Sequence, residues 1–292
     1  MLTLTLWLCM QQTVFFLGAE WIIEAIGVTS QKFSHCLKDS LANMVSVAFI
    51  IGSGRIDLVG KPLDRSQRKL ISSEFGSPSD VPVKLETAMS SAYLMYRHGN
   101  GHNIVPHKIN YRANISCLND LHVREIIAIN TVGGIAQDAT EGELIVPDQL
   151  IDYTWGREHT FCDEKDLKHT AFDMPYAAST RRKILVASNN CGIPIKNGGV
   201  YGCTQGPRFE TPAEILRMER DGCTIVGMTG MPEAILAKEL GIDYASVCLV
   251  VNPAAGKGKG VDIGDIQKIS NLGMAKIERL LLAFLKILEE GN

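Results

Sequence analysis

Residues 206–239 read GPRFETPAEILRMERDGCTIVGMTGMPEAILAKE. Within them, Thr211-Pro212-Ala213-Glu214 has the form of a capping box: a Thr N-cap, Pro in the first turn, and a Glu three residues on that reaches back to the cap. A helix is therefore expected from Thr211 to Asp221, with Gly222 as its stop. The apolar run Thr224 to Met228 has the length and composition of a buried strand. Thr229 and Gly230 end it, and Pro232 opens the next helix. Side chains at the carboxyl ends of such strands line the ligand crevice of an open α/β sheet. Met228 and Thr229 are so placed.

Three further β-branched runs share this pattern: Val45 to Ile51, Glu125 to Asn130 and Ala245 to Asn252, each ending in small or polar residues. Between the strands, Glu86 to Tyr96, Thr211 to Asp221, Pro232 to Leu240 and Ile266 to Leu288 read as helices. The alternation predicts a mainly parallel central sheet flanked by helices, in a single α/β domain. A chain of 292 residues with 46% hydrophobic and 21% charged residues can bury such a core. The first 44 residues do not resemble the rest. Met1 to Gly27 is apolar, yet its start carries no Lys or Arg, and Gln11, Gln12, Glu20 and Glu24 interrupt it, so neither a signal peptide nor a membrane anchor fits. Residues 1–44 are expected to be a non-core extension and residues 45–292 the functional domain.

Composition narrows the partners. A net charge of −3 without a long basic run argues against nucleic acid, while small anions remain open. Eight cysteines are widely spread with no C-x-x-C pair, which predicts reduced thiols and a cytoplasmic protein. His98, His102 and His107 lie close together, but Gly99 and Gly101 break a helical H-x-x-x-H face and H-E-x-x-H is absent. No metal is expected.

Each strand end offers polar groups. Gly52-Ser53-Gly54 allows backbone N–H groups and a hydroxyl to approach an anion, although a plain tight turn explains it as well. A dinucleotide fingerprint would need a third glycine where Asp57 stands, and neither this turn nor Gly256 to Gly260 supplies a Walker loop. Residues 97–110, RHGNGHNIVPHKIN, form a donor-rich loop whose Arg fork suits phosphate oxygens, or else lies solvated. Asn130-Thr131-Val132-Gly133-Gly134 is a further glycine-flanked strand end.

Taken in order, IIGSG, RHGNGHNIVPHKINYRANI, NTVGGI, GPRFETPAE, GMTGMPEAILAKE and VVN resemble the trimeric purine nucleoside phosphorylase and methylthioadenosine phosphorylase family, over roughly Val45 to Leu288. The resemblance implies that Ser53, Arg97, His98, Asn130, Thr131 and Thr229 surround phosphate. Met228 would lie against the ribose and Phe209 beside the base, while Tyr201 and Gly202 shape the loop. It implies a homotrimer, a small-molecule nucleoside substrate, and inorganic phosphate as co-substrate with no other cofactor.

Two residues separate the substrates within that family. A 6-oxopurine presents a carbonyl acceptor beside a ring N–H donor, whereas adenine presents an amino donor beside an unprotonated nitrogen. An ionised Glu210 only accepts, which suits the ring N–H of hypoxanthine. Asn252 accepts and donates, so it suits the carbonyl together with the protonated imidazole-ring nitrogen of the departing base. The adenine-specific relatives have aspartates at the end of the last strand and a small hydroxyl residue after the Phe. This chain has Asn252, Pro253 and Ala254, and Glu210. A solvated carboxylate at a helix start is the plain alternative for Glu210.

At the sugar 5' position, Ile263 and Ile266 stand where methylthio-accepting relatives carry aliphatic residues, although core packing explains Ile266 equally well. His159 or Phe161, in the irregular loop Gly156 to His169, would cover a neighbouring subunit's sugar, with a surface role as the even alternative. The expected reaction is phosphorolysis of S-methyl-5'-thioinosine to hypoxanthine and S-methyl-5-thioribose 1-phosphate, with Asn252 and Glu210 as the catalytic pair. Cleavage of inosine and guanosine ranks second and of methylthioadenosine third. A nicotinamide-dependent oxidoreductase lacks its glycine fingerprint, and a silent nucleoside-binding protein would bind without phosphate-dependent release.

Overall fold

The computed structural model describes residues 46–54, 56, 58, 60–63, 74–87, 91–163, 167–258, 260 and 262–290. The chain divides into two units, Met1–Met44 and Val45–Asn292. The first unit, with the expected extension, lies outside the described residues, as do Cys9 and Cys36.

The elements of the second unit run β1 (Ser46–Ile51), β2 (Gly60–Pro62), β3 (Val83–Leu85), β4 (Ser91–Tyr96), α1 (Tyr111–Asp120), β5 (Glu125–Gly134), β6 (Leu144–Val146), β7 (Gln149–Asp152), α2 (Ala178–Cys191), β8 (Lys196–Asn197), β9 (Val200–Cys203), α3 (Pro212–Arg220), β10 (Ile225–Gly227), α4 (Glu233–Glu239), β11 (Asp243–Pro253) and α5 (Ile263–Glu290). The strands join one mixed sheet whose centre is parallel: β1 pairs β4 and β5, and β5 pairs β11, all in the same direction. Both faces are covered. Ile115 and Leu118 of α1 and Ala234 and Leu236 of α4 pack on one side, and Ile184 of α2 with Met274, Ile277, Leu281 and Phe284 of α5 on the other. Burial on two faces explains why SVAFII and the start of β5 are apolar without alternation.

The capping box is present in both directions: Thr211 Oγ1 accepts from Glu214 N at 3.2 Å, and Thr211 N donates to Glu214 Oε2 at 2.7 Å. Gly222 follows α3 at φ 97°, a backbone conformation that suits glycine. The helix expected over Glu86 to Tyr96 is not there; that stretch ends in β4, paired with β1 along all six of its residues. Ala92, Leu94 and Met95 are good helix formers, but a fully buried place between β1 and β3 overrides that intrinsic preference. Helices α1 and α2 are additions to the expected set. Asn110 caps α1 by accepting from Ala113 N at 3.1 Å.

The position of the site follows from one irregularity. Along the edge of β5 that faces β1, pairing runs through Ile129 and resumes at Gly133 with the antiparallel β10. Asn130, Thr131 and Val132 therefore have no strand partner on that edge. The carboxyl ends of β1 and β10 approach this gap from opposite directions. Such a split, where strand ends diverge, is where an open α/β sheet forms its crevice.

Candidate active site

A cavity of about 360 Å³ opens at the gap, and it gathers residues from every strand end singled out in the sequence. Ser53 comes from the turn after β1, His98 from the loop after β4, Asn130 and Thr131 from β5, Met228 and Thr229 from the end of β10, Phe209 and Glu210 from the approach to α3, and Asn252 and Ala254 from the end of β11.

On one wall the polar groups hold one another. Thr229 Oγ1 donates to Asn130 Oδ1 at 2.9 Å, and Asn130 Nδ2 donates to Ser246 Oγ at 2.5 Å, so the amide has a defined orientation. Tyr201 supports Thr229 from beneath: its hydroxyl accepts from Thr229 N at 3.4 Å. Gly227 is required there, because a Cβ would sit 2.1 Å from that hydroxyl. His98 Nδ1 lies 2.7 Å from Ile104 O, and only an N–H can satisfy a carbonyl. Nε2 is therefore the acceptor of the neutral ring. Burial, reinforced by the nearby Arg97 and His102, pushes the His98 pKa down to about 4 despite the bond to Ile104, so the ring is neutral at pH 7.

Arg97 departs from its expected place. It does not line the cavity: the guanidinium is fully buried, with Nε and Nη2 each 2.6 Å from an oxygen of Glu233 and Nη1 3.0 Å from Ile129 O. Burial opposes its charge, but the Glu233 carboxylate outweighs that and keeps it cationic. Tyr244 completes the group by donating to Glu233 Oε1 at 2.9 Å. The fork thus anchors the loop behind the cavity to the start of α4 instead of facing into the cavity. Glu233, a carboxylate at the head of an apolar helix, was the available sequence signal for this partner.

The opposite wall carries the acceptor and the amide. Glu210 precedes the capped start of α3, and its Oε1 accepts from Thr204 Oγ1 at 2.6 Å. Asn252 stands just past a register shift in β11 between Val250 and Asn252, which sets it opposite Gly133. A Cβ on Gly133 would press on Val226 Cγ1 at 3.2 Å, so the glycine lets β10 lie close to β5 here. Asn252 Nδ2 donates to Pro253 O at 2.7 Å. Phe209 is 45% exposed at the cavity mouth.

Four other expected residues lie outside the cavity lining. Ile263 is 75% exposed at the first position of α5, and Ile266, one turn on, lines the cavity in its place. Residues three apart share a helix face, so spacing does not separate the two; Ile263 is exposed because it is the first residue of α5, one turn short of the position that reaches the cavity. Pro253 is outside the lining, with Ala254 and Ala255 inside it. His159 is exposed and borders a different cavity with Cys162, Leu167 and His169. Phe161 instead packs against Phe75, with ring centroids 5.1 Å apart.

The irregular loop contributes a residue that the sequence did not single out. Arg157 sends its guanidinium to the carbonyl oxygens of Met228, Met231, Thr204 and Gln205, at 3.0, 2.6, 3.2 and 2.7 Å, and so fastens together the two segments that carry Met228 and Glu210. A loop arginine beside Glu158 and His159 gives no warning of that role.

The model of the family described as phosphorylase superfamily matches residues 81–286. The chain belongs to the phosphorylase superfamily. Among its curated relatives, the probable S-methyl-5'-thioinosine phosphorylase of Xanthomonas campestris pv. campestris is 44% identical over 237 residues, covering 80% of this chain and 94% of that one. The 6-oxopurine nucleoside phosphorylase of Pyrococcus furiosus is 38% identical over 253 residues, covering 84% and 94%. Among solved structures, methylthioadenosine phosphorylase from Schistosoma mansoni in complex with adenine superposes with a TM-score of 0.76 at 29% identity, covering 84% of this chain and 92% of that one.

In this superfamily member the cavity combines a neutral acceptor ring, hydroxyls and amides on one wall with a carboxylate and an amide on the other. Among the described residues no group of three or more His, Cys, Asp or Glu is arranged to hold a metal, and no helix is long and apolar enough to cross a membrane. Cys117, Cys162, Cys191, Cys203, Cys223 and Cys248 are free thiols.

Proposed function

We propose that the chain catalyses phosphorolysis of S-methyl-5'-thioinosine, releasing hypoxanthine and S-methyl-5-thioribose 1-phosphate. The observation that carries this reading is the pairing of Glu210 and Asn252 in one cavity with the hydroxyls and amides of the β5 gap. Relatives named for methylthioinosine at 44% identity support it, as does Ile266, an aliphatic residue on the lining.

Phosphate, held by Ser53, Asn130, Thr131 and Thr229, attacks the anomeric carbon as the glycosidic bond to the purine breaks. The sugar passes through a state with oxocarbenium character, and no protein nucleophile is needed. Neutral His98 supports the nucleophile as an acceptor: Nε2 takes the hydrogen bond from the P–OH of hydrogen phosphate. Negative charge grows on the departing purine, where the Asn252 amide donates to the carbonyl oxygen and accepts from the imidazole-ring nitrogen as that nitrogen becomes protonated, and Glu210 accepts from the ring N–H. Positioning and charge stabilisation then supply the catalysis. Arg97 acts behind this wall through Glu233 and Ile129. Residues 45–292 form the phosphorylase domain, and the working assembly is a cytoplasmic homotrimer; a solution mass of one chain would overturn the trimer.

A second reading, phosphorolysis of inosine and guanosine, is favoured by relatives named 6-oxopurine nucleoside phosphorylase at 38% identity. Phosphate-dependent release of base from methylthioinosine, inosine and methylthioadenosine ranks the candidates. The highest kcat/KM is expected for methylthioinosine. A preference for inosine would move the assignment to the second reading, and equal or better use of methylthioadenosine would overturn the base assignment.

A further inference from the structure

The Glu210 carboxylate stands on a partition between two cavities. One is the site described above; the other, of about 500 Å³, is bordered by Asp152, Trp155, Arg208 and Arg217. From that second side the positive charge of Arg208 acts on Glu210. A carboxylate on a flexible side chain, with a cation to one side, needs a tether if it is to read a base on the other side.

Thr204 provides one. Its Oγ1 is 2.6 Å from Glu210 Oε1 and 3.3 Å from Gly227 O, and its single proton goes to the nearer and charged acceptor. Among the described residues no other hydrogen bond to this carboxylate is present. The donor is itself rigid, because Thr204 N donates to Gly227 O at 2.8 Å and Thr204 O accepts from Arg157 Nη2 at 3.2 Å. The backbone that carries the hydroxyl is thus bolted to β10 on one side and to the Arg157 clamp on the other.

We propose that Thr204 is a specificity-determining positioning residue: by occupying Oε1 it holds Glu210 at the partition and leaves Oε2 as the acceptor for the ring N–H of a 6-oxopurine. This rests on the reading of Glu210 given above. The sugar and phosphate ends of the site do not depend on it.

The test compares the parent with Thr204→Val, which keeps shape and removes the donor, and Thr204→Ser, which keeps the donor. Thr204→Val should lower kcat/KM for methylthioinosine and inosine alike by about tenfold, as expected for a lost hydrogen bond to a charged group. The ratio between those two substrates should stay within about twofold, and methylthioadenosine cleavage should not fall. Thr204→Ser should recover most of the parent's activity. General damage to the fold would instead lower all substrates together and move the sugar ratio. The proposal is overturned if Thr204→Val keeps the parent's rates on hypoxanthine nucleosides, if methylthioadenosine cleavage drops by the same factor, or if Thr204→Ser is as impaired as Thr204→Val. If the valine variant does not fold, Thr204→Ala against Thr204→Ser makes the same comparison. A parent that prefers methylthioadenosine would bring down the reading of Glu210 and this inference with it; a selective parent whose selectivity survives Thr204→Val would bring down the inference alone.

Discussion

In the proposed reaction, leaving-group stabilisation rests on Asn252, which the register shift in β11 sets opposite Gly133. Losing a preorganised donor of this kind costs about a hundredfold or more in turnover. Asn252→Ala is expected to lose kcat on that order while keeping its melting temperature, and a variant cleaving methylthioinosine at the parent rate would refute the role. His98 makes a prediction about pH. Its folded pKa is about 4 against 6.5 for the free side chain. Below 6.5 the unfolded chain takes up a proton that the folded chain refuses until about pH 4, so stability falls as pH drops through that window and levels off beneath it. The loss attributable to this ring reaches roughly 3 kcal/mol, and urea unfolding at pH 7 and pH 4.5 should show a correspondingly smaller fall in His98→Gln. Most of the polar cavity-lining residues were legible because their chemistry sits at strand ends rich in glycine or next to the capped start of α3. Arg97 was not, since a fork in a loop looks the same in sequence whether it meets an anion or a carboxylate 136 positions away.

Helix α3 illustrates what a local pattern can carry. Thr211 and Glu214 satisfy each other's backbone groups, and Arg208 pairs with the same Glu214 at 2.7 Å, helping to hold its carboxyl down at about 2. Thr211→Ala should cost about 1 kcal/mol of stability. In a chain of this size that is a melting temperature lower by about 2–4 °C, measurable by calorimetry. An unchanged melting temperature would mean that the cap is redundant with packing. Strand β4 is the converse case. SAYLMY carries helix-forming residues, and its conformation comes from β1 and β3 on either side of it, which no window of local sequence contains. Strand β5 extends past the expected Asn130 to Gly134 for a similar reason: β10 and β11 pair with the extra residues.

Across the whole second unit, the Arg97, Glu233 and Tyr244 group ties the end of β4 to α4 and β11 in a region closed to water. Removing one partner of a buried ion pair leaves an uncompensated charge, at about 3–5 kcal/mol. Glu233→Ala should lower the melting temperature by roughly 10 °C on the per-kilocalorie scaling for a domain of this length. The double change Arg97→Met with Glu233→Leu should be milder than Glu233→Ala alone; a double variant as unstable as the single one would show that the pair matters through packing and not through charge. The division of the chain at Met44 leads to a further expectation, that residues 45–292 fold and cleave nucleoside without the preceding segment. Loss of either property in the shortened chain would make residues 1–44 part of the working enzyme.

Local chemistry settled the alternation of buried strands and helices, the capped start of α3, and the identity of the groups at each strand end, because hydrophobic period and hydrogen-bonding capacity are properties of neighbouring residues. Long-range packing settled the rest. That Asn130 to Val132 lack a strand partner on the edge facing β1, that Ile266 reaches the cavity, that Arg97 pairs with Glu233, and that Arg157 and the backbone of Thr204 are fastened to the segment before α4 all depend on contacts between segments tens to more than a hundred positions apart. The energy of those contacts exists only once the sheet has brought the segments together.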